Sequence, residues 1–130
     1  MPTQEELWKA LLDFLKEQHT VIMSEEKTAY AALDAGDQEG YRTHMLKKGE
    51  LLSALAQAAK PYIGKLDEVL AESVRKTIHR FSKSAAHGLS LGSMFYLSAL
   101  LYRDEHPLGA PDNLQVAIQH MEEQGLKYTK

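Results

Sequence analysis

Cysteine is absent from the 130 residues. That excludes a disulfide framework, thiolate-held zinc or iron–sulfur sites and a cysteine nucleophile, and it leaves His, Asp and Glu as the side chains able to hold a metal. Long runs of one charge are missing too: acids and bases are interspersed and the formal net charge is −3. No basic face is available to release counterions from a nucleic-acid backbone, and no polybasic run to bind anionic lipid. Nucleic acid and membrane are therefore not expected partners. Residues 1–6 are short and acidic and lack the basic-then-apolar order of a secretory signal, so a cytoplasmic location is expected. Strand-like alternation is lacking, as is any Gly-rich loop after a strand, and the serines are scattered without a nucleophile-elbow turn. Phosphate-cradling and serine-hydrolase chemistry have no foothold.

What is present is helical periodicity. A hydrophobic share of 44% and a charged share of 25% describe an ordinary globular chain, and the length suits one domain over residues 1–130. Thr3 and Glu6 have the form of a capping box, which starts a first helix at Gln4. Trp8, Leu11, Leu12, Leu15, His19, Ile22, Glu26, Ala29, Tyr30 and Leu33 then recur at spacings of three and four along one face. Gly36 and Asp37 form the turn of a helical hairpin. The second helix carries Tyr41, Met45, Leu52, Leu55 and Ala59, and is predicted to stop near Lys60 because a helical residue before Pro61 is disfavoured. Leu66, Leu70, Val74, Ile78, Phe81 and Ala85 mark a third helix. Residues 103–111, with Pro107, Gly109 and Pro111, read as a loop. Asp112 and Gln115 repeat the capping-box form ahead of a last helix that should end near Gln124, before Gly125. The expectation is an all-α, up-down antiparallel helical bundle of four to five helices.

Residues 84–102 form the longest uncharged stretch, about the length of a membrane span. His87 and repeated Ser and Gly dilute it, so it reads as buried core instead. If the third helix ran on through it, Leu89, Leu91, Met94, Phe95, Leu97, Leu100 and Leu101 would overshoot the bundle into water, at about 1.5–3 kcal/mol per large side chain. A break between His87 and Ser93 is therefore predicted. The alternative is a continuous helix whose overhang is buried against a second copy, with Gly88 and Gly92 permitting close contact.

Three polar residues fall at one level of the hairpin: Glu26, His44 and His79. A carboxylate and two imidazoles suffice for a zinc or iron ion with open positions, although pairing of Glu26 with Lys47 or Lys48 satisfies the same positions without metal. No Glu-x-x-His or His-Glu-x-x-His occurs, so the diiron-bundle and metalloprotease arrangements are not expected. His19, on the core-facing seam, is expected to make one buried hydrogen bond.

Ala86, His87 and Leu89 resemble the start of the motif of histidine phosphotransfer domains, small bundles that accept a phosphoryl group on a helix-borne histidine. The resemblance implies that role for His87. The chain departs from the pattern at Ser90, where a lysine belongs, and at Leu91, where a small residue belongs, which removes the stabilising charge and the room for a partner.

The functional expectation is a non-enzymatic interaction module that needs no cofactor. It would meet itself, as a homodimer, or a partner helix through an apolar surface around residues 84–102, with Leu91, Phe95, Tyr96 and Tyr102 as anchors. The second expectation is a bundle that binds a small molecule or metal through Glu26, His44 and His79, or through His19.

Overall fold

The structure is a computed structural model that describes residues 2–102, 106–107 and 109–129, the last four of these by backbone alone. Among the described residues five helices follow in order: α1 (Gln4–Asp34), α2 (Gln38–Ile63), α3 (Glu68–Leu91), α4 (Met94–Ala99) and α5 (Asn113–Thr129). They pack as an all-α antiparallel bundle, as the periodicity predicts. Residues 103–105 and 108 of the expected loop lie outside the described residues.

The helix ends form where capping chemistry puts them. Thr3 Oγ1 accepts the Glu6 N–H at 3.1 Å and α1 begins at Gln4. Gly36 takes the left-handed conformation at φ 81°, which lets the Asp37 N–H reach back to the Ala32 carbonyl and close the helix end. Asp37 then caps α2 through the Gly40 N–H. At the start of α5 the reciprocal box is complete: Asp112 Oδ1 accepts the Gln115 N–H, and Gln115 Oε1 accepts the Asp112 N–H.

Two expected helix ends are overrun. α2 continues past Pro61 to Ile63, because Ile63 is buried in the core and the Gly64 N–H closes the last turn on the Lys60 carbonyl. Tyr62 in that turn also stacks on Phe14 at 4.6 Å. α5 runs through Gly125 to Thr129. Gly125 is there for proximity and not as a stop: a Cβ on it would come within 1.9 Å of Trp8 Nε1, and that indole donates to the Met121 carbonyl at 3.0 Å.

The break after α3 falls within the predicted window. Gly92 is left-handed at φ 64° and Ser93 caps α4 through the Tyr96 N–H. Its level, however, differs from the expected one. The α3 end packs against Gly49 of α2, about 16 Å short of the α1–α2 turn at 1.5 Å per residue, so the hairpin projects beyond it. The chain turns because α4 folds into a notch. A Cβ on Gly88 would meet the Tyr96 ring at 2.6 Å, and one on Gly49 would meet Leu97 at 2.8 Å. Leu97, Leu100 and Leu101 thereby enter the core, so the chain itself covers that part of the overhang, while Leu91 and Phe95 stay exposed.

α5 lies antiparallel to α1. His19 meets Asp112 at its start and Trp8 meets Met121 further along. α3 runs parallel to α1, since the Asp67 N–H bonds Gln4 at the origin of both. α5 packs on α1 and barely touches α3, so one side of the bundle stays open.

Candidate functional site: a buried ammonium and an open trench

The most polar feature of the core is one that hydrophobic patterning passes over. Lys48 continues the Met45 and Leu52 stripe of α2 at helical spacing, and its side chain is 0% exposed. Its Nζ donates to Glu26 Oε1 at 2.8 Å and to the carbonyls of Leu97 and Leu100, both at 3.0 Å, with the Ser98 carbonyl at 3.3 Å. An ammonium has three protons, and all of them are engaged. The Tyr102 hydroxyl donates to the second oxygen of Glu26, and its ring lies 5.4 Å from Nζ, within cation–π range.

This arrangement closes α4. A helix leaves its last carbonyls without partners, and in so short a helix these are a large share of the whole. Lys48 gathers them from the neighbouring helix. The backbone pays locally at Leu101, the one non-glycine among the described residues with positive φ, at 77°, and the Leu101 carbonyl is held by the Asn113 N–H at 2.8 Å. Burial pulls the Lys48 pKa below its ordinary value, opposed by the hydrogen bond and charge of Glu26. Burial and the bond to Glu26 push the Tyr102 phenol well above its usual range, and burial with the Glu26 charge raises Tyr30 as well. An amine that is sealed from solvent and saturated with acceptors is a structural cap, not a nucleophile.

A second polar link ties α5 down. His19 Nε2 is 2.7 Å from Asp112 Oδ2, so His19 makes a hydrogen bond as expected, in a part-buried and not a fully buried setting. Burial alone would raise the Asp112 pKa, but the bond to His19 and the amides of Gln115 and Leu114 bring it below its ordinary value.

Glu26, His44 and His79 are not brought together. Glu26 is taken up by Lys48 and Tyr102, the His44 ring bonds Glu25 at 2.7 Å, and His79 points to solvent. Among the described residues no three His, Asp or Glu side chains are grouped to hold a metal ion. The four expected anchors also part company. Phe95 is 84% exposed and Leu91 58%. Tyr96 is half-buried, edge-on to the exposed His87 at 5.5 Å, and Tyr102 belongs to the Glu26 cluster.

The open side of the bundle forms a trench between α3 and α5 of about 830 Å³. Its floor includes the buried Leu52, Leu100, Leu101 and Met121, with Phe81 beside them. Its walls are the stripe Ser73, Thr77, Arg80 and Ser84 on α3 and the stripe Asn113, Ala117 and His120 on α5. The α3 stripe spans about 16 Å, three helical turns, and the α5 stripe matches it only when continued to Gln124, which also lines the trench. Tyr96 and Tyr102 line it as well, so part of the 84–102 segment borders this surface. Pattern reading missed the trench because the apolar stripe of α5 does not say which neighbouring helix it leaves uncovered.

Among the described residues no helix is long and apolar enough to cross a membrane. Neither known family models, nor curated proteins, nor solved structures match the chain.

Proposed function

We propose that the chain is a non-enzymatic binding protein whose working surface is the trench between α3 and α5, which receives an elongated and largely apolar occupant. The observation that carries this reading is the trench itself. Its volume falls within the roughly 300–1,000 Å³ of small-molecule sites, and an apolar floor with polar walls is the lining such sites have. The absence of a catalytic role is supported by the state of the buried ionisable groups: Lys48, Glu26 and Asp112 are each committed to holding helix ends.

The test is titration with N-phenyl-1-naphthylamine, a neutral apolar dye whose emission rises on leaving water. The wild type should bind it saturably, and Ala117→Phe, which fills the trench from the α5 wall, should not, while keeping its helical circular dichroism. Equal binding by the two proteins would refute the assignment.

Self-association is the second reading, favoured by the exposure of Leu91 and Phe95. A two-fold pairing of copies would bury these side chains against themselves. Sedimentation velocity on the wild type and Phe95→Ser tests it: a dimer converted to monomer supports pairing, and a monomeric wild type excludes it.

A further inference from the structure

The two ends of the trench differ in charge. α3 runs parallel to α1 and α5 antiparallel, so Glu123 lies by the beginning of α3, whereas Arg80 lies further up, toward Asn113. Arg80 is the one Lys or Arg in the described lining of the trench. Its guanidinium makes no hydrogen bond or ion pair among the described residues, unlike Lys16, Lys48, Arg75 and Lys76. The carboxylate nearest that end in sequence, Asp112, is buried and engaged by His19 and the first amides of α5, so it does not neutralise Arg80.

Resting on the reading of the trench as a binding site, we propose that its ligand is a free single-chain anionic amphiphile. The chain lies along the floor of Leu52, Leu101 and Met121 and the anionic head meets Arg80. Guanidinium suits a carboxylate or a phosphate monoester through paired N–H donors. A two-walled trench about three turns long admits one extended chain of about twelve carbons and not a bilayer surface. Ser84 and Asn113 flank that end and offer further hydrogen bonds to a head group.

The experiment is displacement of N-phenyl-1-naphthylamine from the full chain by dodecanoate and by dodecyltrimethylammonium, both below their micelle concentrations. Dodecanoate should compete about tenfold better than the cation, a ratio in line with one charge-assisted contact at a partly exposed site. Arg80→Ala should erase the preference while still binding the dye, and Arg80→Lys should restore part of it. Arg80 is exposed and makes no hydrogen bond or ion pair among the described residues, so these variants should fold. Dye binding with no preference between the two amphiphiles, or a preference that survives Arg80→Ala, would overturn the head-group assignment and leave the trench standing. Failure of the dye to bind would remove the trench reading itself. Phosphatidylglycerol vesicles should not co-sediment the protein, and co-sedimentation that persists in Ala117→Phe would replace the free amphiphile with a membrane surface.

Discussion

Replacing Lys48 by methionine keeps most of the volume and removes the charge. The Glu26 carboxylate is then left buried with only the Tyr102 hydroxyl as its partner, and the Leu100 carbonyl loses its donor. Breaking a buried pair by removing one partner costs about 3–5 kcal/mol. The total stability of a chain this size is on the order of 6–20 kcal/mol, so K48M should consume a large share of it. With a urea m-value of about 2 kcal/mol/M, the midpoint should fall by roughly 1.5–2.5 M. Glu26→Gln should soften the loss: the double variant should be more stable than the sum of the two single losses by about 1–3 kcal/mol, because the two residues share one interaction. Equilibrium urea unfolding followed by circular dichroism reads all three. A K48M protein within about 1 kcal/mol of wild type, or strict additivity, would show that the ammonium does not hold α4 in place.

Further expectations concern individual contacts and pH. Gly125→Ala forces its Cβ into the Trp8 ring. It should cost about 1–3 kcal/mol of overpacking and shift the emission of the single tryptophan to the red, and an unchanged spectrum would contradict the contact. Gly92→Ala puts a side chain into the left-handed region at φ 64° and should lower stability by about 1–2 kcal/mol, read as a reduced melting temperature. The lowered Asp112 pKa favours its ionised form in the folded state, so its contribution is present above 3.8 and disappears as pH falls below it through the folded value. Asp112→Asn should flatten that acid limb of stability. The raised Tyr102 pKa has the opposite consequence: its contribution is complete below 10.0 and is lost as pH rises beyond that value. Absorbance at 295 nm should show one fewer late-ionising tyrosine in Tyr102→Phe.

The helices were legible because local chemistry and burial agree in them. Thr3, Gly36, Asp37 and the Asp112 and Gln115 box each satisfy backbone groups within a few residues, and such reciprocity is visible in the chain itself. The break after α3 was legible for a reason only half correct: an oily overhang does fold back, but onto Gly49 and Gly88 well below the hairpin tip. The overrun at Pro61 and Gly125 shows tertiary packing overriding local stop signals. Glu26 stood out as a polar residue on an apolar stripe, and its pairing with Lys48 was open to the same spacing argument. Tyr102 and the carbonyls of α4 could not be foreseen, because they arrive through a loop whose path depends on the whole fold. The trench was likewise hidden, since an empty side of a bundle follows from what α5 fails to touch and not from any residue's own pattern.

The most direct measurement is backbone amide shift mapping of the isotope-labelled chain titrated with dodecanoate. Saturable shifts are expected along residues 73–84 and 113–124 and at residues 96–102, the surfaces that border the trench. Shifts centred on Leu91 and Phe95, or none on α5, would contradict that expectation.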